Sequence, residues 1–149
     1  YIAGTEAMCD FVRSYGTGFI FSSSMPPAVA AGALTSIRIL KQHNEIRERH
    51  QERAATLKRR LKAARIPILE TVSHIVPVMV GDPVACKQAS DALLEDHAIY
   101  VQPINYPTVP RGTERLRFTP CPLHTDEDIY QLVDALQQVW SRMSLRKAA

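Results

Sequence analysis

The chain has 149 residues, of which 46% are hydrophobic and 22% are charged, and its formal net charge is +3. This composition argues against global disorder, and the length suits one domain or one domain with part of another. No apolar run approaches the roughly 20 residues that cross a bilayer, and no charged leader precedes an apolar core, so neither a membrane span nor a signal peptide is predicted.

The N-terminal segment is predicted to complete a strand and then form a helix. Tyr1 stands within an apolar run rather than at a Met, which indicates the tail of a longer protein, and residues 1–4 are predicted to end a strand. Thr5 is a candidate helix N-cap, and Glu6 places an acid in the first turn, where the helix dipole favours negative charge. The helix is predicted to end at about Tyr15.

An extended segment and a serine loop are predicted next. Glycines end the first helix, and residues 19–21 form an apolar run that is predicted to be extended. Three serines, residues 22–24, follow in a loop. Pro26 and Pro27 suit the first turn of another helix, where a missing N–H costs little.

One long helix is predicted over residues 28–64. Its first part is small and apolar and is predicted to be buried, whereas its second part is charged and is predicted to be exposed. Ten basic and three acidic residues lie between Arg38 and Arg65. The charges are interpreted as a solvated helix face; the alternative is a basic module that binds nucleic acid or a partner, although the aromatic residues typical of such modules are missing. A domain boundary is predicted near Lys62.

The remaining residues are predicted to form a small α+β domain with a mostly antiparallel sheet. Residues 74–81 read as a strand, in which Pro77 indicates an edge or a bulge. Residues 99–104 and 115–119 are predicted to face each other across a proline-rich turn. Helices are predicted in two places: Asp82 caps one that runs to about His97, and Thr125 with Asp128 begins the closing one.

Two groups of polar residues have the character of ligand sites. Period-two alternation puts Arg115 and Arg117 on one face of the last strand, where a guanidinium can bind a carboxylate through two parallel hydrogen bonds. The alternative is that these arginines pair with Glu114 or with other acids. Ser22 and Ser23, before a helix N-terminus, suit a phosphate, and the alternative is a capping loop without a ligand.

No metal site is predicted, because the cysteines and histidines lack the spacing of metal ligands. The three cysteines, Cys9, Cys86 and Cys121, are widely separated and odd in number, which is typical of a reduced, intracellular compartment.

Three stretches together resemble the α-oxoamine synthase family of pyridoxal-phosphate enzymes. Residues 18–34 read GFIFSSSMPPAVAAGAL, residues 73–83 read SHIVPVMVGDP, and residues 100–120 read YVQPINYPTVPRGTERLRFTP. The resemblance implies an α/β parent protein of fold type I. Residues 1–62 would then close the large cofactor domain, and residues 63–149 would form the small C-terminal domain. The turn Asn105-Tyr106-Pro107-Thr108 points to the member that condenses glycine with succinyl-CoA.

The resemblance also implies roles for four residues. Arg117 corresponds to the arginine that holds the carboxylate of glycine, and Thr108 to a threonine that selects the succinyl group. Ser22 and Ser23 correspond to hydroxyls that reach the phosphate of pyridoxal phosphate in the neighbouring subunit of a homodimer. The family's threonines are serines here, which keeps the donor and loses a methyl group.

The lysine that binds the cofactor as a Schiff base is implied to lie upstream of Tyr1. This chain alone is therefore predicted to be inactive and to hold no catalytic residue, since Lys41 and Lys87 lie in charged helical contexts. The compartment implied is the cytoplasm in a bacterium or the mitochondrial matrix in a eukaryote, without nucleic acid or membrane as partner. Another α-oxoamine synthase, with a different acyl-CoA or amino acid, is the nearest alternative.

Overall fold

The computed structural model describes residues 2–148, which divide into two compact units between Gln42 and His43. The predicted strand residue Tyr1 lies outside the described residues. Within them, no helix is both long enough and apolar enough to pass through a membrane. The domain boundary predicted near Lys62 stays a prediction, because compact units within one chain need not be the domains of a whole protein.

The first unit is helical. It contains α1 (Glu6–Tyr15), α2 (Thr17–Ile20) and α3 (Pro27–Gln42). The predicted cap is present, since the Thr5 side chain accepts a hydrogen bond from the Met8 N–H at 3.3 Å. The prediction that the prolines open a helix is also confirmed, because α3 begins at Pro27.

Two extended segments predicted for this unit are wrong. Residues 2–4 form no strand, and residues 2–42 offer no second strand to pair with them. The Gly16 carbonyl accepts hydrogen bonds from the Phe19 and Ile20 N–H groups at 2.8 and 2.9 Å, so this segment closes as the single turn α2. Isolated strands leave their backbone groups unpaired, whereas one helical turn pairs them locally.

The single long helix is also wrong, because the chain leaves helical geometry at His43 (φ −122°, ψ 73°). The second helix, α4, spans Asn44–Ala63 and begins with polar side chains that bond forward along it. The His43 ring contacts the Glu45 carboxylate at 2.8 Å, and Asn44 donates to Glu48 at 2.5 Å. Side chains of this kind favour helix starts over helix interiors.

Burial along these two helices is the reverse of the prediction. No residue of α3 is buried within its unit, because α3 packs against neither α1 nor α2. The charged α4 instead contributes Leu57 and Leu61 to the core of the second unit. Its apolar positions are fewer than those of α3, but they fall on one face that meets the sheet and α6.

The sheet of the second unit has three antiparallel strands in the order β1-β3-β2. The strands are β1 (Val76–Met79), β2 (Gln102–Ile104) and β3 (Arg115–Phe118). Pro77 lies in the edge strand β1, as predicted. Its carbonyl accepts from the Leu69 N–H at 2.9 Å, so its backbone faces away from β3 and no ladder hydrogen bond is lost.

The core lies between the sheet and three helices, α4, α5 (Pro83–His97) and α6 (Asp126–Arg142). Asp82 caps α5 by accepting from the Ala85 N–H at 2.7 Å. The largest side chains of the core are fully buried: Leu57, Leu61, Ile66, Leu93, Leu116, Leu136 and Trp140. Helices on one face of a small antiparallel sheet form the predicted α+β arrangement.

A nearly buried arginine joins the middle of α4 to the start of α6. Only 10% of the Arg53 side chain is exposed, and its guanidinium donates to Asp126 Oδ1 at 2.8 Å and to Glu52 Oε1 at 2.6 Å. The paired guanidinium lowers the pKa of Glu52 to about 2. Arg53 therefore ties α4 to the first turn of α6.

The capping box of α6 predicts a measurable loss of stability. The Thr125 hydroxyl accepts from the Asp128 N–H at 3.1 Å, and the Asp128 carboxylate accepts from the Thr125 N–H at 2.7 Å. Thr125→Ala should lower the free energy of unfolding by about 1 kcal/mol, whereas Thr125→Ser should change it by only a few tenths. Urea titration of the purified protein measures both.

The same box should respond to acid. Hydrogen bonds from Thr125 hold the pKa of Asp128 below its usual range. The contribution of these hydrogen bonds to the free energy of unfolding is present above the ordinary aspartate pKa. It is lost as the pH falls through the lower pKa of Asp128 in the folded protein. Equal stability of the Ala and Ser variants would contradict the role of the cap.

Candidate functional site

The central strand β3 separates the core from an open face. Leu116 and Phe118 point into the core with 0% and 6% exposure, whereas Arg115 is half-buried and Arg117 is exposed. The alternation predicted for these four residues is observed. Gln102, the partner of Arg117 on β2, is also exposed, whereas Pro77, its partner on β1, is buried, so the face that carries Arg117 is open toward β2.

Arg117 lies in the middle of a row of three paired residues that crosses the sheet. Its register partners are Pro77 on β1 and Gln102 on β2. Within residues 2–148 the Arg117 guanidinium forms no ion pair, whereas Arg115 donates to the Thr113 carbonyl at 2.8 Å. The alternative in which these arginines pair with Glu114 is wrong, because Glu114 lies on the buried face.

A cavity of about 640 Å³ borders this row. It lies among β2, the end of β3 and the first turns of α6, and its polar lining includes one acid, Asp128, besides Arg117, His97, His124 and Gln131. Its volume is within the usual range for small-molecule sites. Arg117 is the cation from β3 that reaches it, so the cavity suits a ligand with a carboxylate.

Gln102 and Tyr100 also line the cavity, and the sequence analysis missed both. The Tyr100 hydroxyl donates to Gln102 Oε1 at 2.9 Å. This bond fixes the Gln102 amide, whose N–H₂ group donates one hydrogen to the Pro103 carbonyl at 3.3 Å and has a second to offer a ligand. Period-two alternation from the buried Val101 could have predicted that Tyr100 and Gln102 are exposed. The register that pairs Gln102 with Arg117 could not be predicted from either strand alone.

Thr108 lies near the tip of the hairpin that joins β2 to β3. Its N–H donates to the Asn105 carbonyl at 2.9 Å, and its side chain is exposed. The cavity is not lined by Thr108. Arg117 lies three residues from the base of the hairpin, roughly 10 Å along the strand, so the two residues belong to one hairpin but to different parts of it.

Ser22 and Ser23 belong to the first unit, in the loop between α2 and α3. The Ser22 hydroxyl donates to the Phe19 carbonyl at 3.2 Å, and both serines are exposed. The loop leads into Pro27 at the start of a helix of 16 residues. Hydroxyl donors beside a helix N-terminus fit the acceptor oxygens and the negative charge of a phosphate.

Neither lysine considered for the cofactor is placed for that role. Lys87 pairs with the Asp91 carboxylate at 2.6 Å on the exposed face of α5, and Lys41 is exposed in the last turn of α3. Metal ligands are equally dispersed: the described part of the chain groups no three His, Cys, Asp or Glu side chains around a common point.

A protein-family comparison relates these elements to known enzymes. The model for aminotransferases of class I and II matches residues 1–136, which is most of the chain and includes every residue discussed above except the end of α6. The chain belongs to the aminotransferase class I and II family. Pyridoxal phosphate is the cofactor of this family, as predicted from the resemblance.

Curated relatives of the chain include 5-aminolevulinate synthases of bacteria and fungi. The chain is 60% identical to 5-aminolevulinate synthase 1 of Cereibacter sphaeroides over 99% of its own length and 36% of the relative's. It is 50% identical to the mitochondrial 5-aminolevulinate synthase of Emericella nidulans, over 100% of the chain and 23% of that relative. The chain thus spans about a third or less of these proteins.

Solved structures support the same fold. A serine palmitoyltransferase from S. paucimobilis, solved with pyridoxal phosphate and myriocin, is 36% identical with a TM-score of 0.82, over 91% of this chain and 34% of that one. An 8-amino-7-oxononanoate synthase of Francisella tularensis has a TM-score of 0.77 at 21% identity, over 95% and 41%. The predicted fold class, fold type I, is confirmed.

The buried thiol of Cys86 should be chemically inert. Burial and, to a smaller extent, the charges of Glu114 and Asp82 raise the pKa of Cys86 to about 11. At about pH 8 roughly one Cys86 in a thousand would be ionised, so iodoacetamide should leave it unmodified in the native protein. Mass spectrometry of native and urea-unfolded samples measures this, and rapid alkylation of native Cys86 would contradict its burial.

Proposed function

We propose that the full-length protein is a 5-aminolevulinate synthase, a pyridoxal-phosphate-dependent acyltransferase. It would condense glycine with succinyl-CoA to 5-aminolevulinate, CoA and carbon dioxide, at the start of tetrapyrrole and haem synthesis. The observation that carries the proposal is 48–60% identity with eight 5-aminolevulinate synthases across 97–100% of this chain. The bound cofactor would act as the electron sink for the α-carbon of the amino acid.

Arg117 would bind the glycine carboxylate. Its guanidinium is exposed, has no acidic partner within residues 2–148 and borders a cavity of suitable size. A planar guanidinium makes two parallel, charge-assisted hydrogen bonds to a carboxylate, which fixes direction as well as position. The Gln102 amide would add a neutral donor on the same face.

Thr108 would recognise the acyl donor. Its exposed hydroxyl lies on the hairpin tip, and its backbone is held by the hydrogen bond to Asn105. A hydroxyl can donate to the terminal carboxylate that distinguishes succinyl-CoA from neutral acyl-CoA molecules. Specificity of this type comes from a polar group that a neutral acyl chain leaves unpaired.

Ser22 and Ser23 would bind the cofactor phosphate. Their hydroxyls would be the donors, and α3 would add the positive end of its dipole, since its Val29 and Ala30 N–H groups already bond to the Pro26 carbonyl. We propose that they serve the neighbouring subunit of a homodimer. The lysine that binds the cofactor is proposed to lie outside this chain, so this chain alone would be inactive.

The compartment follows the source of the protein. Relatives include bacterial enzymes and enzymes described as mitochondrial. We propose the cytoplasm for a bacterial protein and the mitochondrial matrix for a eukaryotic one.

A second candidate is another α-oxoamine synthase, which the 36% identity and TM-score of 0.82 with serine palmitoyltransferase favour. The full-length protein should be assayed with glycine or serine and a panel of succinyl-, pimeloyl- and palmitoyl-CoA. Release of CoA with glycine and succinyl-CoA well above every other pair supports the first proposal. Preference for serine, or for a longer acyl chain, would replace it with the second.

Removal of the Arg117 guanidinium should weaken the binding of glycine but not that of succinyl-CoA. In the full-length protein Arg117→Leu should raise the glycine KM about 100-fold, because a charge-assisted pair contributes about 3 kcal/mol. Arg117→Lys keeps the positive charge but loses the planar, two-donor guanidinium, so its glycine KM should lie between those of the wild type and Arg117→Leu. The succinyl-CoA KM should stay within about threefold.

Arg146→Leu, which removes an exposed arginine near the C-terminus, is the matched control. Steady-state kinetics with each substrate varied in turn measures all three variants. An unchanged glycine KM in Arg117→Leu would refute the carboxylate role.

Removal of the Thr108 hydroxyl should change acyl-donor preference. Thr108→Val should reduce the preference for succinyl-CoA over butyryl-CoA by about tenfold, because one hydrogen bond to a charged group contributes roughly 1.5 kcal/mol. Thr108→Ser keeps the hydroxyl and should retain the preference. The ratio of kcat/KM for the two donors is the measurement, and equal losses with both donors would argue for general distortion of the hairpin.

A further inference from the structure

The hairpin that carries Thr108 begins at the half-buried Asn105 and ends at the buried Glu114. The last registered pair of β2 and β3 is Ile104 with Arg115, so Asn105 and Glu114 are the next residues to oppose each other. By alternation both side chains are on the face opposite to the Arg115 side chain, toward the core. Glu114 is only 1% exposed.

The backbone of Glu114 makes this pair a close one. Its carbonyl accepts from the Val80 and Gly81 N–H groups at 2.9 and 3.0 Å, so the Glu114 backbone bonds toward β1. Opposed residues that do not bond to each other through the backbone have the shorter Cα separation and the closer side chains. The Asn105 and Glu114 side chains are therefore direct neighbours.

Both side chains present a buried acceptor. Neither Asn105 Oδ1 nor Glu114 Oε2 receives a hydrogen bond from the described residues. The Asn105 amide nitrogen donates to the Pro83 carbonyl at 3.2 Å, which fixes the direction of the amide. Two acceptors cannot form a hydrogen bond with each other. Because a buried acceptor without a donor is destabilising, a donor between the two side chains would stabilise both.

The start of α5 explains why a carboxylate is tolerated there. Asn105 contacts Pro83, the first residue of α5, and the charge of Glu114 acts on Cys86 in the same first turn. The positive end of a helix dipole stabilises a negative group placed beside it. Glu114 therefore sits against a fixed part of the fold rather than against solvent.

We propose that Glu114 is a positioning residue for Thr108. With Asn105 it would hold one shared hydrogen-bond donor, an ordered water molecule that bridges the two acceptors. This shared contact would fix the base of the hairpin. The link to the tip is direct, because the Asn105 carbonyl accepts the Thr108 N–H at 2.9 Å. The inference rests on the proposed function of Thr108 in acyl-donor choice.

The test compares Glu114→Leu with Glu114→Gln in the full-length holoenzyme. Leu removes both carboxylate oxygens of Glu114 and should lower the preference for succinyl-CoA over butyryl-CoA by about tenfold, with the glycine KM within about threefold. Gln brings its own N–H donor for Asn105 Oδ1 and should retain most of the preference. Glu95→Leu, at an exposed position of α5, is the matched control.

Amide hydrogen exchange gives a readout that does not depend on the reaction. Residues 105–114 should exchange faster in Glu114→Leu than in the wild type, and Glu114→Gln should restore protection. If the wild type uses another acyl donor, the proposed function fails, yet this exchange pattern would still support the shared donor. Equal exchange in all three proteins, or a Gln variant no better than Leu, overturns the positioning role.

Discussion

The register of β3 between its two neighbours is the constraint on which both the core and the site depend. Leu116 and Phe118 fill the core, and Arg117 lies between them on the opposite face. A slip of one residue would exchange the two faces, so that a guanidinium would enter the core and two apolar side chains would meet solvent. The burial that stabilises the sheet therefore also fixes the direction of the guanidinium.

The same register places the base of the hairpin against the core and leaves its tip in solvent. The core side of its base is occupied by Asn105 and Glu114 against the start of α5, whereas its tip exposes Thr108. A hairpin tip alone is held by few contacts and is therefore mobile. Polar contacts at the base let the tip remain accessible to a ligand while its backbone keeps a defined position.

Local signals in the sequence predicted the elements that local interactions determine. The caps at Thr5, Asp82 and Thr125 bond to N–H groups three residues ahead, and the alternation of β3 is written in four consecutive residues. The break at His43 was missed, because helix propensity on both sides outweighed the two polar residues that begin α4. The burial of α3 could not be predicted correctly from its composition, since burial depends on which element packs against it.

The candidate site shows the same division between local and distant information. Arg117 was predictable from its position on one strand, and the family resemblance gave it and Thr108 their proposed roles. Gln102, opposite Arg117, and Glu114, opposite Asn105, required the pairing of two strands. Glu114 is the clearest departure from the rule that buried positions are apolar, because a leucine of similar size would fill its place without an unpaired acceptor. A carboxylate kept at such a position is evidence for a requirement other than stability, and its neighbour at the base of the hairpin indicates that this requirement is the geometry of the tip.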